Sequence, residues 1–177
     1  MGQIAKPEQA KLIIGLIAKQ EFLDIAGLRL AKTFGKIDYT SEILEFDSTR
    51  YYAREMGIGL KRQFLSFSGL IKPEALASIK LKTNKIEEKF FSCQGKRYVN
   101  IDPGYLSVSK LVLATTKDHQ HRIYLDKGIF AEVTLRYRGK TFCPWAWTYA
   151  DYCKVEYINI FNFIRNKLLK KGSKCSA

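Results

Sequence analysis

Lys11-Leu12-Ile13-Ile14-Gly15-Leu16-Ile17-Ala18 is the stretch on which the fold turns. Its apolar side chains follow one another without alternation, as in a strand covered on both faces; a half-exposed strand would show period two. It therefore starts a sheet, and the next segments are read as its neighbours. From Gln20 to Phe34, Leu23, Ala26, Leu30 and Phe34 recur at helical spacing, and Gly35 follows where a left-handed cap is cheapest. Ser41 to Phe46 and Arg62 to Phe67 alternate as two short strands, joined by a long connector rich in aromatic and charged groups, Tyr51, Tyr52, Arg54 and Glu55 among them. Pro73 suits a first helical turn, and Leu76, Ile79, Thr83, Ile86 and Phe90 continue at steps of three and four. Arg97 to Asp102 alternates again, with Val99 and Ile101 on one face and Asn100 and Asp102 on the other. The order β-α-β-β-α-β is the split βαβ, or ferredoxin-like, pattern.

Further along, Pro103-Gly104 is expected to turn the chain sharply, and Ser107 or Ser109 to cap a short helix through Leu111, Val112 and Ala114. His121 to Leu125 and Ile129 to Tyr137 read as a hairpin around Asp126-Lys127-Gly128, its second arm setting Glu132, Thr134 and Arg136 opposite Ala131, Val133 and Leu135. Lys154 to Lys171 reads as a closing amphipathic helix. The expected fold is α+β: a single domain over residues 1–171, with a mixed or mostly antiparallel sheet. Its ferredoxin-like core is extended by a helix, a hairpin and a C-terminal helix, and 172–177 form a flexible basic tail.

The chain has 177 residues, enough for one well-buried core and few for two. Its net charge of +13 favours acidic partners such as phosphates or nucleic acid, although a lysine-rich surface also serves solubility alone. The four cysteines show no paired spacing, which points away from a zinc site or disulfide framework and toward a reducing cytoplasm. The early apolar run is too short for a membrane span, and no export or anchoring signal is expected. Gly139-Lys140-Thr141 has the tail of a phosphate-binding loop, but position 134 is Thr where that loop needs Gly.

The candidate site comes from polar groups placed on segments that otherwise read as core. Thr83 and Asn84 are poor helix-interior residues, and Lys80, Asn84 and Glu87 share one face of their helix, whereas Lys82, Lys85 and Lys89 read as a solvated stripe. Asn100, Asp102, Glu132, Thr134 and Arg136 can tile one sheet face, with Arg62, Lys110, Lys117, His121 and Arg122 around it to bind phosphate or carboxylate oxygens. Tyr51, Tyr52, Tyr105, Trp147 and Tyr149 supply the aromatic and phenolic surface, the rings able to stack on a base or sugar. If chemistry occurs, Asp102 or Glu132 is the general base and Lys110 or His121 its electrostatic partner. His119 and His121 are too few for a metal centre, and no cofactor is implied. The expected function is binding of an anionic ligand, a nucleotide or RNA phosphate. The alternatives are a hydrolase or transferase acting on a phosphorylated small molecule, and a protein-binding adaptor.

The blocks Asn100-Ile101-Asp102-Pro103-Gly104-Tyr105, Lys110 to Asp118, His121-Arg122-Ile123-Tyr124-Leu125, Gly128 to Leu135 and Trp147-Thr148-Tyr149 strongly resemble a bacterial family catalogued as domain of unknown function 4416. The likeness extends upstream to Tyr51 to Gly57, Arg62, and Ile79-Lys80 with Thr83, Asn84 and Glu87. The resemblance implies a common fold over nearly the whole chain and brings no defined reaction. This chain departs from the family pattern at Arg50, at Ala150, where a Pro is usual, and at His119.

Overall fold

The computed structural model describes residues 2–49 and 51–172. Ser173–Ala177, on which most of the expected tail falls, lie outside the described residues, as does Arg50. The strands are β1 Ala10–Ala18, β2 Ile37–Thr40, β3 Leu44–Glu45, β4 Lys61–Ile71, β5 Ser92–Cys93, β6 Lys96–Arg97, β7 Val99–Leu106, β8 Lys110–Thr115, β9 Ile123–Asp126, β10 Ile129–Arg138 and β11 Thr141–Pro144. The helices are α1 Gln20–Phe34, the single turn α2 Ala53–Met56, α3 Leu76–Phe90 and α4 Val155–Gly172, with 3-10 turns at Pro73–Ala75 and Ala150–Cys153.

The main sheet runs β11-β10-β8-β7-β1-β4-β2, with every neighbouring pair antiparallel; β3 joins β4 and β9 joins β10. Within it, β7-β1-β4-β2 is the ferredoxin-like order expected of the N-terminal half, and β8, β10 and β11 extend it on the β7 side. This is a single-domain α+β fold with a mostly antiparallel sheet.

β1 lies near the middle and is buried at every position; the apolar run from Leu12 to Ala18 calls for this, and Lys11, buried beside it, pairs with Asp38. Leu12, Ile14, Leu16 and Ala18 meet Leu23, Ala26 and Leu30 of α1 and Ile79 and Ile86 of α3 on one face. Ile13 faces the other way, into Phe64, Leu111, Leu135 and the Tyr157, Phe161 and Ile164 side of α4. Helices on both faces remove the apolar surface of the sheet from water, the main favourable term in folding.

Four local expectations fail. The strand expected over Ser41 to Phe46 lies earlier, at Ile37–Thr40, and only Leu44–Glu45 of the expected span forms a strand, β3. Leu111, Val112 and Ala114 form strand β8 and not a helix, because the four-residue apolar run 111–114 is too short to choose its own period and pairing with β7 and β10 chooses for it. Pro103-Gly104 does not turn the chain: both residues lie inside β7, opposite Ile14 and Ile13. Val133 and Leu135 do not share a face. A bulge between them drops Thr134 out of register, so Val133 joins the cluster beside α3 while Leu135 joins the one beneath α4.

A candidate ligand cleft where two strands part

β7 and β8 pair only through Gly104, Tyr105 and Leu106 with Leu111, Val112 and Leu113. Alternate residues of a strand show their backbone groups to the same edge, so Ile101, Pro103 and Tyr105 all face β8. Proline has no N–H to offer a ladder, and the ladder stops beside it. Beyond that point the strands diverge, and α3 supplies the bonds that β8 does not. The Glu87 carboxylate accepts the Ile101 N–H at 2.5 Å, and Lys80 Nζ donates to the Ile101 carbonyl at 3.0 Å. Those two side chains let a buried sheet open without leaving backbone groups unpaired.

The opening is a cavity of about 530 Å³. Asn100 and Asp102 line it from β7, Thr115 to Lys117 from the end of β8, Glu132 from β10, and Lys80, Asn84 and Glu87 from α3. The connector between β3 and β4 closes one side with Tyr51 and Tyr52, and Tyr149 to Tyr152 close another.

Arg62 lies in the floor with 3% of its side chain exposed; Nη2 bonds Asp151 Oδ2 at 2.6 Å, and Nη1 stands 3.9 Å from Asp102 Oδ2. Its guanidinium sits among the rings of Phe46, Phe64, Tyr152 and Tyr157. Asp151 and these rings hold the charge in place, and burial pushes the Tyr157 phenol up to about 12, keeping it neutral. Gly15 makes a close approach here: a Cβ would stand 3.0 Å from Arg62 Nη1, which would have to shift to admit it.

Asp102 receives Asn100 Nδ2 at 2.6 Å on one oxygen, while its other oxygen has Lys80 Nζ at 3.5 Å. Its side chain is 27% exposed. Glu132, only 2% exposed, is tied to Arg122 Nε at 3.0 Å and His121 Nε2 at 3.2 Å. Arg122 also donates to the Lys117 carbonyl and to the Tyr149 hydroxyl, and so braces the rim. Lys117 Nζ donates to the Tyr51 hydroxyl at 2.6 Å and, among the described residues, has no carboxylate partner. Burial raises the Tyr52 phenol well above its ordinary range, with the charge of Asp102 adding to the effect; Tyr149 is raised by burial and then by Glu132.

Of the residues singled out from the sequence, Tyr51, Tyr52, Arg62, Lys80, Asn84, Glu87, Asn100, Asp102, Lys117, Glu132 and Tyr149 line this one cleft. Arg122 and His121 stand behind Glu132 and hold it, and Thr134, fully buried, touches the same carboxylate. The others lie elsewhere. Lys110 is exposed at the opposite end of β8 from Thr115, and Tyr105 packs beside Leu76 and Ala77 on the α3 face. Trp147 stacks between His121 and Trp145, at 5.7 and 5.1 Å, outside the cleft. Arg136 covers the Trp145 ring and does not share a polar tile with Glu132. His119 lies parallel to His121 at 5.9 Å, a stack and not a chelating pair.

Two members of the site were not singled out from the sequence. Asp151 stands between Ala150 and Tyr152 in an aromatic stretch, and a lone acid among aromatic residues is the signal it offered. Arg97 bridges Glu87 at 2.8 Å and Glu55 at 3.0 Å, clasping the connector to α3. Nothing in its local pattern announced that role.

Fold and cleft together define an antiparallel α+β protein with a ligand-sized opening where its sheet divides. The chain belongs to the family described as Domain of unknown function (DUF4416), whose model matches residues 8–168. No curated protein and no solved structure matches it. Among the described residues, no helix is long and apolar enough to cross a membrane.

Proposed function

We propose that the cleft binds a small molecule bearing an acidic group, with Lys117 receiving that group at the rim and Asp102 accepting a hydrogen bond from the ligand at the floor. The observation that carries this reading is the state of the charges. The other carboxylates of the lining are held closely by protein cations, whereas Asp102 is held loosely and is partly exposed. Among the described residues, Lys117 is the lining cation with no carboxylate partner. A depth of this kind, with acids and bases mixed, suits a small ligand better than an RNA backbone, which favours a shallow and uniformly basic surface. The free thiols of Cys93, Cys143 and Cys153 suit a reducing cytoplasm.

The second reading is an enzyme on the same cleft. Asp102 favours it, because a part-exposed carboxylate with an oxygen to spare is the group placed to take a proton from a bound hydroxyl.

A thermal-shift series with inorganic phosphate, nucleoside monophosphates, sugar phosphates and short RNAs tests the proposal. Small anions raise the midpoint of the wild type, and Lys117→Met abolishes the rise. If no small anion moves the midpoint, or only RNA does, the proposal is wrong.

A further inference from the structure

Building on that reading, we infer that the ligand is a polyhydroxylated small molecule with a single acidic group, a sugar phosphate in class, and not a polyphosphate nucleotide. The count of uncommitted charges decides it. Arg62 is paired with Asp151 at 2.6 Å, its Nε and Nη1 having no hydrogen-bond partner among the described residues but lying buried; Arg97 is paired with Glu55 and Glu87 at 3.0 and 2.8 Å, and Arg122, behind the lining, with Glu132 at 3.0 Å. Lys80 is spent on the Ile101 carbonyl at 3.0 Å and on Asp102. Lys117 is left, its ammonium donating to the Tyr51 hydroxyl. A chain of phosphates needs several cations converging on it, whereas one phosphate needs one or two.

The cleft also leaves carboxylate oxygens uncommitted. Asp102 Oδ1 has only the distant Lys80 ammonium, and Asp151 Oδ1 accepts no hydrogen bond among the described residues. Carboxylate oxygens call for donors, and hydroxyl groups donate to them in short, charge-assisted bonds.

The walls fit the same class. Tyr51 and Tyr149 are 61% and 44% exposed and stand on different sides of the opening. The negative face of a phenol ring attracts polarised C–H groups such as those of a sugar ring. The cavity of about 530 Å³ lies in the range, about 300–1,000 Å³, that encloses ligands of this size.

Isothermal titration of the whole chain with inorganic phosphate, ribose, ribose 5-phosphate, glucose 6-phosphate and ATP, at constant ionic strength, tests the inference. At least one sugar phosphate binds about tenfold more tightly than phosphate, free sugar or ATP, a difference of about 1.4 kcal/mol. Asp102→Asn lowers that affinity to the level of inorganic phosphate. Lys117→Met, at an exposed position that leaves the fold intact, lowers it to the level of the free sugar. If ATP binds as tightly as the sugar phosphates, or inorganic phosphate does, the inference is overturned while the anion-binding reading stands. If no probe binds, both fall.

Discussion

Arg62 and Asp151 meet at 2.6 Å beneath the cleft although 89 positions separate them in the chain. The contact joins β4 to the turn before α4, on the face of the sheet that the cleft opens through. Once a guanidinium has lost its water, its partner is no longer optional. Asp151→Ala leaves that buried cation with only Asp102, 3.9 Å away, near it, and is expected to cost about 3–5 kcal/mol in urea denaturation. Replacing both residues, Arg62→Met with Asp151→Leu, recovers most of the loss. A double variant as unstable as Asp151→Ala would show that aromatic packing around Arg62, and not its charge, dominates.

Glu87 gives the fold a pH dependence. Burial raises its carboxyl above the ordinary value of 4.5 despite the opposing charges of Lys80 and Arg97. A carboxyl with a raised folded pKa binds its proton more tightly in the folded chain than in the unfolded one. Its contribution is therefore complete below the unfolded pKa and is lost as pH rises through the folded one. Glu87→Gln cannot ionise, so its stability relative to wild type should improve between about pH 4 and about pH 7. Paired urea curves at the two pH values measure this, and a relative stability that falls over the same range contradicts it.

Two glycines mark close approaches of different severity. At Gly104 a Cβ would stand 2.4 Å from the Val112 carbonyl oxygen and 2.7 Å from Leu113 Cδ2, where β7 and β8 last touch. At Gly15 the nearest atom is the far end of Arg62, at 3.0 Å. Gly104→Ala therefore presses on backbone and is expected to destabilise by more than about 3 kcal/mol, and Gly15→Ala by about 1–3 kcal/mol. Thermal midpoints rank the two, and the reverse order would refute the argument.

The connector over the cleft is fastened by polar contacts between apolar anchors. Phe46 and Met56 are buried with Ile17 and Leu60, whereas Asp47 bonds Lys154, Tyr51 bonds Lys117 and Glu55 bonds Arg97. Ion pairs in water contribute little to global stability. Glu55→Ala should thus lower stability by less than about 1 kcal/mol while amide exchange at Tyr51, Tyr52 and Ala53 speeds up. Unchanged exchange there would mean that the anchors alone hold the connector.

The helical faces were legible because each is local: Leu23, Ala26 and Leu30 and the set from Leu76 to Ile86 reveal a period of 3.6 without outside help. The polar face of Lys80, Asn84 and Glu87 was legible for the same reason, since helical spacing alone brings them together. β8 was not. Its apolar residues fit a short helix as well as a strand, and its two neighbouring strands settled the matter. The break in alternation at Thr134 was invisible for a related reason, because a bulge is a property of two paired strands and not of one.

The chain by itself determined which segments would be buried, the ferredoxin-like order of its first half, and the presence of Pro103, which withholds a backbone donor from one edge of β7. Only the tertiary structure decided that β8 would lie along that edge, so that the missing donor becomes a parting of the sheet. It also decided that Asp102, Glu132, Lys117 and Asp151 would meet around that parting. Spacing along a chain fixes direction within one element; charges from β4, β7, β10, α3 and the turn before α4 share an electrostatic environment only once the elements have packed.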